Sequence, residues 1–144
     1  MNIIDLYQRD IDKLIEEINL FKKEKNIWKT KGDVKNSAGN LTLHLTGNLN
    51  HFIGRTLGNT DYIRKREDEF SVKNISREKL ISDLVSLKEV ITTSLKNLSD
   101  EDLKKEFPLK ISEEILTTEL LLIYLLNHFN YHLGQVNYLR RIIE

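Results

Sequence analysis

The four histidines of the chain are the residues whose type and spacing best suit metal chemistry. Two of them, His128 and His132, stand four residues apart. Such a pair lies about 40° apart around a helix and about 6 Å apart along it. Two ring nitrogens can then bind one ion without bending the helix, and imidazole is a common ligand of divalent transition metals. The spacing therefore predicts that His128 and His132 share a metal ion.

The residues around this pair recur at alternating spacings of three and four, which is the period of one helix face. The recurring positions are Leu121, Leu125, His128, His132, Gln135, Leu139 and Ile142. We therefore expect both imidazoles to lie on a core-facing stripe. Burial of unpaired imidazoles among apolar side chains is costly, which favours a shared ion over two isolated core histidines.

A third ligand would come from another helix, and one predicted helix contains both His44 and His51. These two are about 10.5 Å apart along that helix, so they cannot both join one site. Periodicity leaves either of them as the third ligand. The other is then a surface histidine or one that neighbours the site without binding the ion.

A charged segment, residues 61–70, follows this helix. Its central charges include Arg64, Arg66, Asp68 and Glu69. They could cover the mouth of a metal site or bind an anionic substrate. We interpret them instead as solvated pairs, because exposed ion pairs of mixed sign are common on protein surfaces and contribute little.

Other catalytic chemistries lack the residues they need. No carboxylate lies between His128 and His132, so the His-Glu-x-x-His pattern of zinc proteases is missing. The inward glutamates and Glu-x-x-His pairs of di-iron bundles are missing as well. The glycines form no phosphate-binding loop. Without cysteine the chain has no thiolate ligand, disulfide or cysteine nucleophile.

The charge balance and the apolar runs argue against a nucleic-acid-binding, membrane-spanning or secreted protein. Lys plus Arg and Asp plus Glu total 22 each, so the formal net charge is zero, which argues against a nucleic-acid partner. The longest apolar run, residues 120–126, is far short of the ~20 residues that span a bilayer. The first dozen residues carry acidic side chains and no continuous apolar core, unlike a signal peptide. We expect a cytoplasmic protein, with residues 1–144 forming a single domain.

Helical periodicity places these residues on a simple scaffold. Apolar residues at helical spacing mark four long segments, about 2–25, 37–53, 76–98 and 117–143. A long connection covers residues 55–75, and connections of that length inside a domain are often functional. Pro108 ends a short helical turn that starts at Ser99, and residues 106–112 are expected to be extended. Four long amphipathic helices without a convincing strand predict an all-α four-helix bundle.

These residues resemble the DinB-like superfamily, whose members are four-helix bundles with a three-histidine metal site. The resemblance covers nearly the whole chain. It rests on residues 40–49 around His44, and on a His-x-x-x-His-x-Gly-Gln pattern matched by residues 128–135 and continued by 136–141. Residues 64–70 are similar to an uncharacterised branch of the superfamily.

The resemblance implies an up-down-down-up bundle and selects His44 over His51 as the third histidine. The implied metal ligands are His44, His128 and His132, while His51 falls outside the triad. Because imidazole nitrogens suit zinc and nickel better than calcium or magnesium, we expect one of those two ions as the cofactor. Some relatives are thiol S-transferases or isomerases that use low-molecular-weight thiols, which implies a small-molecule substrate.

Two functional hypotheses stand at this point. The favoured one is a metal-dependent enzyme with thiol S-transferase or hydrolase chemistry. The alternative is a non-catalytic metal-binding or stress-response module with a structural or vestigial site. We also expect a homodimer, because relatives commonly pair through bundle helices and several apolar residues lie off the main stripes. These are Ile81, Val85, Ile123 and Leu126.

Overall fold

Six α-helices follow one another in the computed structural model, which describes residues 1–144. They are α1 (Ile3–Leu20), α2 (Ala38–Leu49), α3 (Arg66–Ser71), α4 (Arg77–Leu95), α5 (Asp100–Lys104) and α6 (Thr118–Ile143). A 3₁₀ turn covers Glu24–Trp28, and a π-helical segment, Asn50–Arg55, continues α2. The four long helices were all predicted from the period. The short α3 was not, because it lies inside the charged connection.

Capping side chains start the helices where the sequence predicts. Ser37, Ser76, Ser99 and Thr117 each accept a hydrogen bond from the backbone N–H three residues later. Such a cap stabilises a helix by about 1 kcal/mol. The end of α1 was predicted less well. The helix stops at Leu20 rather than near residue 25, because the backbone becomes extended at Phe21, whose side chain is buried in the core.

Contacts along α1 show the directions of its two neighbours. Tyr7 donates a hydrogen bond to the carbonyl of Leu122 at 2.7 Å, and Arg140 donates to Glu17 at 2.7 Å, so α1 and α6 are parallel. The amide of Gln8 donates to the carbonyl of Lys88, in the second half of α4, at 2.9 Å. At the other end of α1, Arg77 at the start of α4 donates to the Asn19 carbonyl at 3.1 Å. Helix α4 is therefore antiparallel to α1.

Helix α2 completes the bundle between α4 and α6. Leu41, near its start, lines one cavity with Leu139, whereas Phe52 beyond its end lines another with Leu125, so α2 runs antiparallel to α6. The order of directions is up-down-down-up, as expected.

The segment predicted to be extended, residues 106–112, contains no helix. It takes part in two isolated β-bridges, Glu106–Thr117 and Ile111–Glu114.

One cluster of 24 buried apolar side chains fills the space between the long helices. Each large side chain buried in this way contributes about 1.5–3 kcal/mol, so this packing stabilises the bundle. Residues from α6 in the cluster are Leu121, Leu122, Leu125, Phe129, Leu133, Val136 and Leu139. No helix of the fold combines the length and the apolar character that crossing a bilayer requires.

The buried stripe of α6 corrects one expectation. His128 and His132 do not lie at its centre. Each directly precedes a core residue, Phe129 or Leu133, and is rotated by about 100° from that residue, toward one edge of the buried stripe. Both imidazoles are half-buried, and Ile142, expected on the same stripe, is 50% exposed. The histidines thus border the core and open to a cavity rather than packing inside it.

Candidate metal centre

Helices α2 and α6 bring three of the four histidines together. Ring nitrogens of His44, His128 and His132, one from each residue, all lie within 4.8 Å of one another. The Nε2 atoms of His44 and His128 are 3.2 Å apart. The His128 and His132 ring centroids are 4.6 Å apart at nearly right angles, as neighbours on successive turns of α6. These are the three residues that the sequence pattern and the resemblance selected.

His51 lies apart from this cluster. It belongs to the π-helical segment beyond α2 and packs edge-on against Phe52, with ring centroids 4.8 Å apart. Burial lowers its pKa, and the positive charges of Arg64 and Arg55 lower it further. The structure therefore places His51 outside the group of candidate ligands.

A buried carboxylate orients His44. Glu69 on α3 is only 5% exposed, and its Oε1 lies 3.0 Å from His44 Nδ1. Arg64 binds the same carboxylate with two hydrogen bonds, Nη2 to Oε1 at 2.8 Å and Nε to Oε2 at 2.9 Å. Such two-point pairing fixes both direction and distance. The chain therefore holds His44 through a second layer of charged side chains.

This arrangement corrects the interpretation of the charged segment as solvated pairs. Arg64 and Glu69 do pair, but their side chains are only 12% and 6% exposed. The physical reason is that α3 docks under α2. The buried amide of Asn40 donates to the carbonyls of Glu69 at 3.0 Å and Val72 at 2.8 Å, at the end of α3.

Gly47 makes room for the carboxylate on the face of α2. A Cβ atom at this position would lie 2.1 Å from Glu69 Oε2, which is far inside the normal contact distance. Only a residue without a side chain lets Glu69 approach the helix this closely. Gly47 therefore contributes to the orientation of His44, because it allows Glu69 to approach α2.

Electrostatics set the protonation of this layer. Burial alone would raise the pKa of Glu69, but the hydrogen bonds from Arg64 and His44 outweigh it and lower the pKa below the usual value. The carboxylate is therefore ionised at neutral pH. It can only accept, so His44 donates its Nδ1 proton to Glu69, and its Nε2 faces the other two histidines.

His132 is oriented by a local partner. Its Nδ1 lies 2.7 Å from Oε1 of Gln135, one turn along α6, so the amide oxygen accepts the Nδ1 proton and leaves Nε2 free. The Nδ1 of His128 is buried and has no protein partner. Burial, reinforced by His132 and His44, lowers the pKa of His128 to about 4. The pKa of His132 is also lowered, chiefly by burial, so both rings are neutral at neutral pH.

These observations test whether the three residues fit a metal ion. Two of the three rings have their Nδ1 protons committed to oxygen acceptors, and their Nε2 atoms remain available. Neutral nitrogen donors are what zinc and neighbouring divalent transition ions prefer, and an outer partner for each ligand is the usual companion of such a site. The donor set fits one ion of this class.

The cluster forms part of the wall of a cavity of about 460 Å³. Phe52, Phe70 and Leu125 supply apolar walls. Asn48, one turn after His44, lines the same cavity, is 7% exposed, and has a buried Oδ1 with no protein partner. A small molecule can therefore reach the imidazoles, and a buried amide is available to it.

The comparisons with known proteins agree with this architecture. A family model described as "Protein of unknown function (DUF1572)" matches residues 2–144. The chain belongs to the DUF1572 family. Among solved structures, a DinB-like protein from Bacillus cereus ATCC 10987 is similar, with a TM-score of 0.76 and 13% identity over 96% of this chain and 89% of that one. Identity this low shows the fold alone, which is DinB-like. No curated protein matches the sequence.

In this DUF1572 protein, sequence reasoning missed the residues around the ligands. Gln135 was placed on the histidine face without a role, although its spacing of three from His132 is a detectable signal. Asn48 shares a helix face with His44 and could have been found in the same way. Glu69 could not, because no period connects α3 to α2 and only the tertiary fold brings its carboxylate to His44.

Proposed function

We propose that this protein is a metal-dependent enzyme in which His44, His128 and His132 hold one divalent transition ion, zinc or nickel. The observation that carries the proposal is the convergence of three imidazoles on a cavity large enough for a small molecule. Small-molecule sites are typically cavities of ~300–1,000 Å³ with a few placed polar groups. Zinc or nickel so held acts as a Lewis acid and lowers the pKa of a bound water or thiol.

The donor set supports a catalytic role over a structural one. Structural zinc sites are usually closed by four protein ligands, whereas catalytic sites offer three and leave a position for the reactant. Only three His, Cys, Asp or Glu side chains form the group here, and the cavity lies on its open side. The non-catalytic module remains the alternative, and no contact in the fold favours it specifically.

The residues of the chain each have a part in this function. Glu69 and Gln135 hold the imidazoles of His44 and His132 in one tautomer, so little reorganisation is needed when the ion binds. Phe52 and Phe70 supply apolar wall beside the position of the reacting groups. We propose thiol S-transfer or hydrolysis as the reaction, with a low-molecular-weight thiol as one substrate. The chain has no cysteine, so the thiol must come from the substrate.

A screen of small thiols against electrophilic acceptors, and of simple esters for hydrolysis, tests the proposal. The protein would be assayed metal-free and after reconstitution with zinc or nickel. We expect turnover only with metal, and its loss in His128→Ala. Equal rates with and without metal, or no turnover for any thiol or ester while the ion is bound, would contradict the enzyme proposal and favour the non-catalytic module.

A homodimer is the second part of the proposal. Val85 on α4 and Ile123 on α6 are 48% and 45% exposed, so apolar surface is available on both helices. A stable interface needs to bury at least about 1,000 Å². Sedimentation at micromolar concentration is expected to show twice the chain mass. A single species of 16.9 kDa would reject the dimer.

A further inference from the structure

The charged residues that line the histidine cavity all have the same sign. They are Arg64, Arg66 and Lys110, and no aspartate or glutamate lines this cavity. The chain as a whole carries equal numbers of acidic and basic residues, so the absence of carboxylates is local. A cavity with one sign of charge and apolar walls concentrates ligands of the opposite sign.

Only one of these cations has its charge balanced within the fold. Arg64 is paired with Glu69, whereas Arg66 and Lys110 form no ion pair with a carboxylate. Arg66 instead lies over the ring of Phe70, 5.3 Å from its centroid, which holds the guanidinium at the cavity wall. The two acidic residues that follow Arg66 in the chain do not line this cavity: Glu67 is absent from its wall, and Asp68 lines a different cavity that contains none of the histidines.

Asn48 gives a second, independent indication of a ligand. Its side chain is 7% exposed, and its buried Oδ1 contacts no protein donor. Leaving a buried amide oxygen without a partner costs about 1–3 kcal/mol, so a partner for Asn48 from outside the chain would be favourable. Asn48 lies on α2 one turn after His44 and lines the same cavity as the three histidines. It offers a polar contact to a molecule placed there.

We propose that the cavity binds a small organic anion, with its negatively charged group at Arg66 and Lys110 and a polar group at Asn48. The position of its reactive end at the three histidines rests on the proposed metal-dependent function. The contacts of the anion with Arg66 and Lys110 do not rest on that function, since neither side chain forms an ion pair or hydrogen bond with the histidine cluster. The substrate class is therefore a small molecule that carries a carboxylate or a comparable oxyanion.

The test compares thiols that differ only in charge. Protein reconstituted with cobalt(II) would be titrated with 3-mercaptopropionate and with its methyl ester, using the thiolate-to-cobalt absorption in the near ultraviolet to measure each Kd. Both probes present the same sulfur to the ion, and each Kd is calculated for the thiolate from that thiol's own pKa, so their ratio reports the carboxylate contacts. 2-Mercaptoethanesulfonate in a third titration separates a tetrahedral oxyanion from a planar one.

Arg66→Gln and Lys110→Gln remove the two charges, and Lys65→Gln is the matched control. Lys65 is the neighbour of Arg66 and is exposed, but it lines the cavity that lacks the histidines. We expect the acid to bind about five- to ten-fold more tightly than the ester in wild type and in Lys65→Gln, because an exposed ion pair is worth about two- to five-fold. In the Arg66→Gln/Lys110→Gln double variant the ratio should approach one.

Two results would overturn the inference. One is equal affinity for acid and ester in wild type, and the other is an unchanged ratio in the double variant. Failure of cobalt to bind would instead contradict the proposed function. The anion site would then be decided in metal-free protein by amide shifts of residues 64–66 and 110–112 with propionate against propionamide. Shifts with propionate alone support the site, and equal or absent shifts overturn it.

Discussion

The two sides of the histidine cluster are built in different ways. On the α6 side, His128, His132 and Gln135 lie within eight residues of one another, and the helix alone sets their geometry. On the α2 side, His44 depends on Glu69, which is 25 residues away in the chain and is held by a separate helix. Local spacing places two ligands, whereas tertiary packing of charged groups orients the third. Changes on the two sides should therefore affect the protein differently.

Removing the carboxylate of Glu69 is the change with the largest expected effect. Glu69→Ala leaves Arg64 buried beside His44 without its counter-charge. Breaking a buried ion pair from one side typically costs about 3–5 kcal/mol in the free energy of unfolding. Urea denaturation would measure it. A loss below about 1 kcal/mol would show that the α2 side does not depend on this pair.

Gly47→Ala should disturb the same side through sterics. The added Cβ would lie 2.1 Å from Glu69 Oε2, so we expect a loss of about 1–3 kcal/mol in the free energy of unfolding. Gly134→Ala on α6 is the matched control, since a Cβ there meets nothing within 4 Å. The control should be neutral or more stable by up to about 1 kcal/mol, because alanine favours helix. Thermal or urea unfolding of both variants checks the comparison, and equal effects would refute it.

On the α6 side, His128 should make the free energy of unfolding of the metal-free protein depend on pH. The pKa of His128 is about 4 in the fold and about 6.5 in the unfolded chain, so the unfolded state binds more protons between these values. The free energy of unfolding should therefore be highest above pH 6.5 and should fall as pH drops to 4. We expect a decrease of about 1–2 kcal/mol after allowance for solvent screening. Urea unfolding across this range, with His128→Gln as control, should give a flatter curve in the variant.

Gln135→Ala should have the smallest effect on stability. The side chain is half-buried and its contact with His132 is local, so we expect a change below about 1 kcal/mol in the free energy of unfolding. Metal affinity should fall by about ten-fold or more, because the imidazole loses the partner that fixes its tautomer. Competition with a chelator of known affinity would measure this. Unchanged affinity would remove Gln135 from the site.

The features that the sequence predicts are those set by local geometry, and the features that it misses are those set by tertiary packing. The period of α1, α2, α4 and α6, and the four-residue spacing of His128 and His132, depend on local geometry and are readable from the sequence. The rotation of both histidines to the edge of the core is set by which α6 residues the other helices cover. The short α3 could not be predicted either, because its position depends on Asn40 and Gly47, which act through contacts distant in sequence.

Metal content per chain, measured by elemental analysis after reconstitution, tests the central claim most directly. Wild type and His→Ala variants at all four histidines would be compared. We predict one divalent transition ion per chain in wild type and in His51→Ala, and its loss in His44→Ala, His128→Ala and His132→Ala. Retention in His44→Ala with loss in His51→Ala would contradict the ligand assignment, and wild type without stoichiometric metal would contradict the site itself.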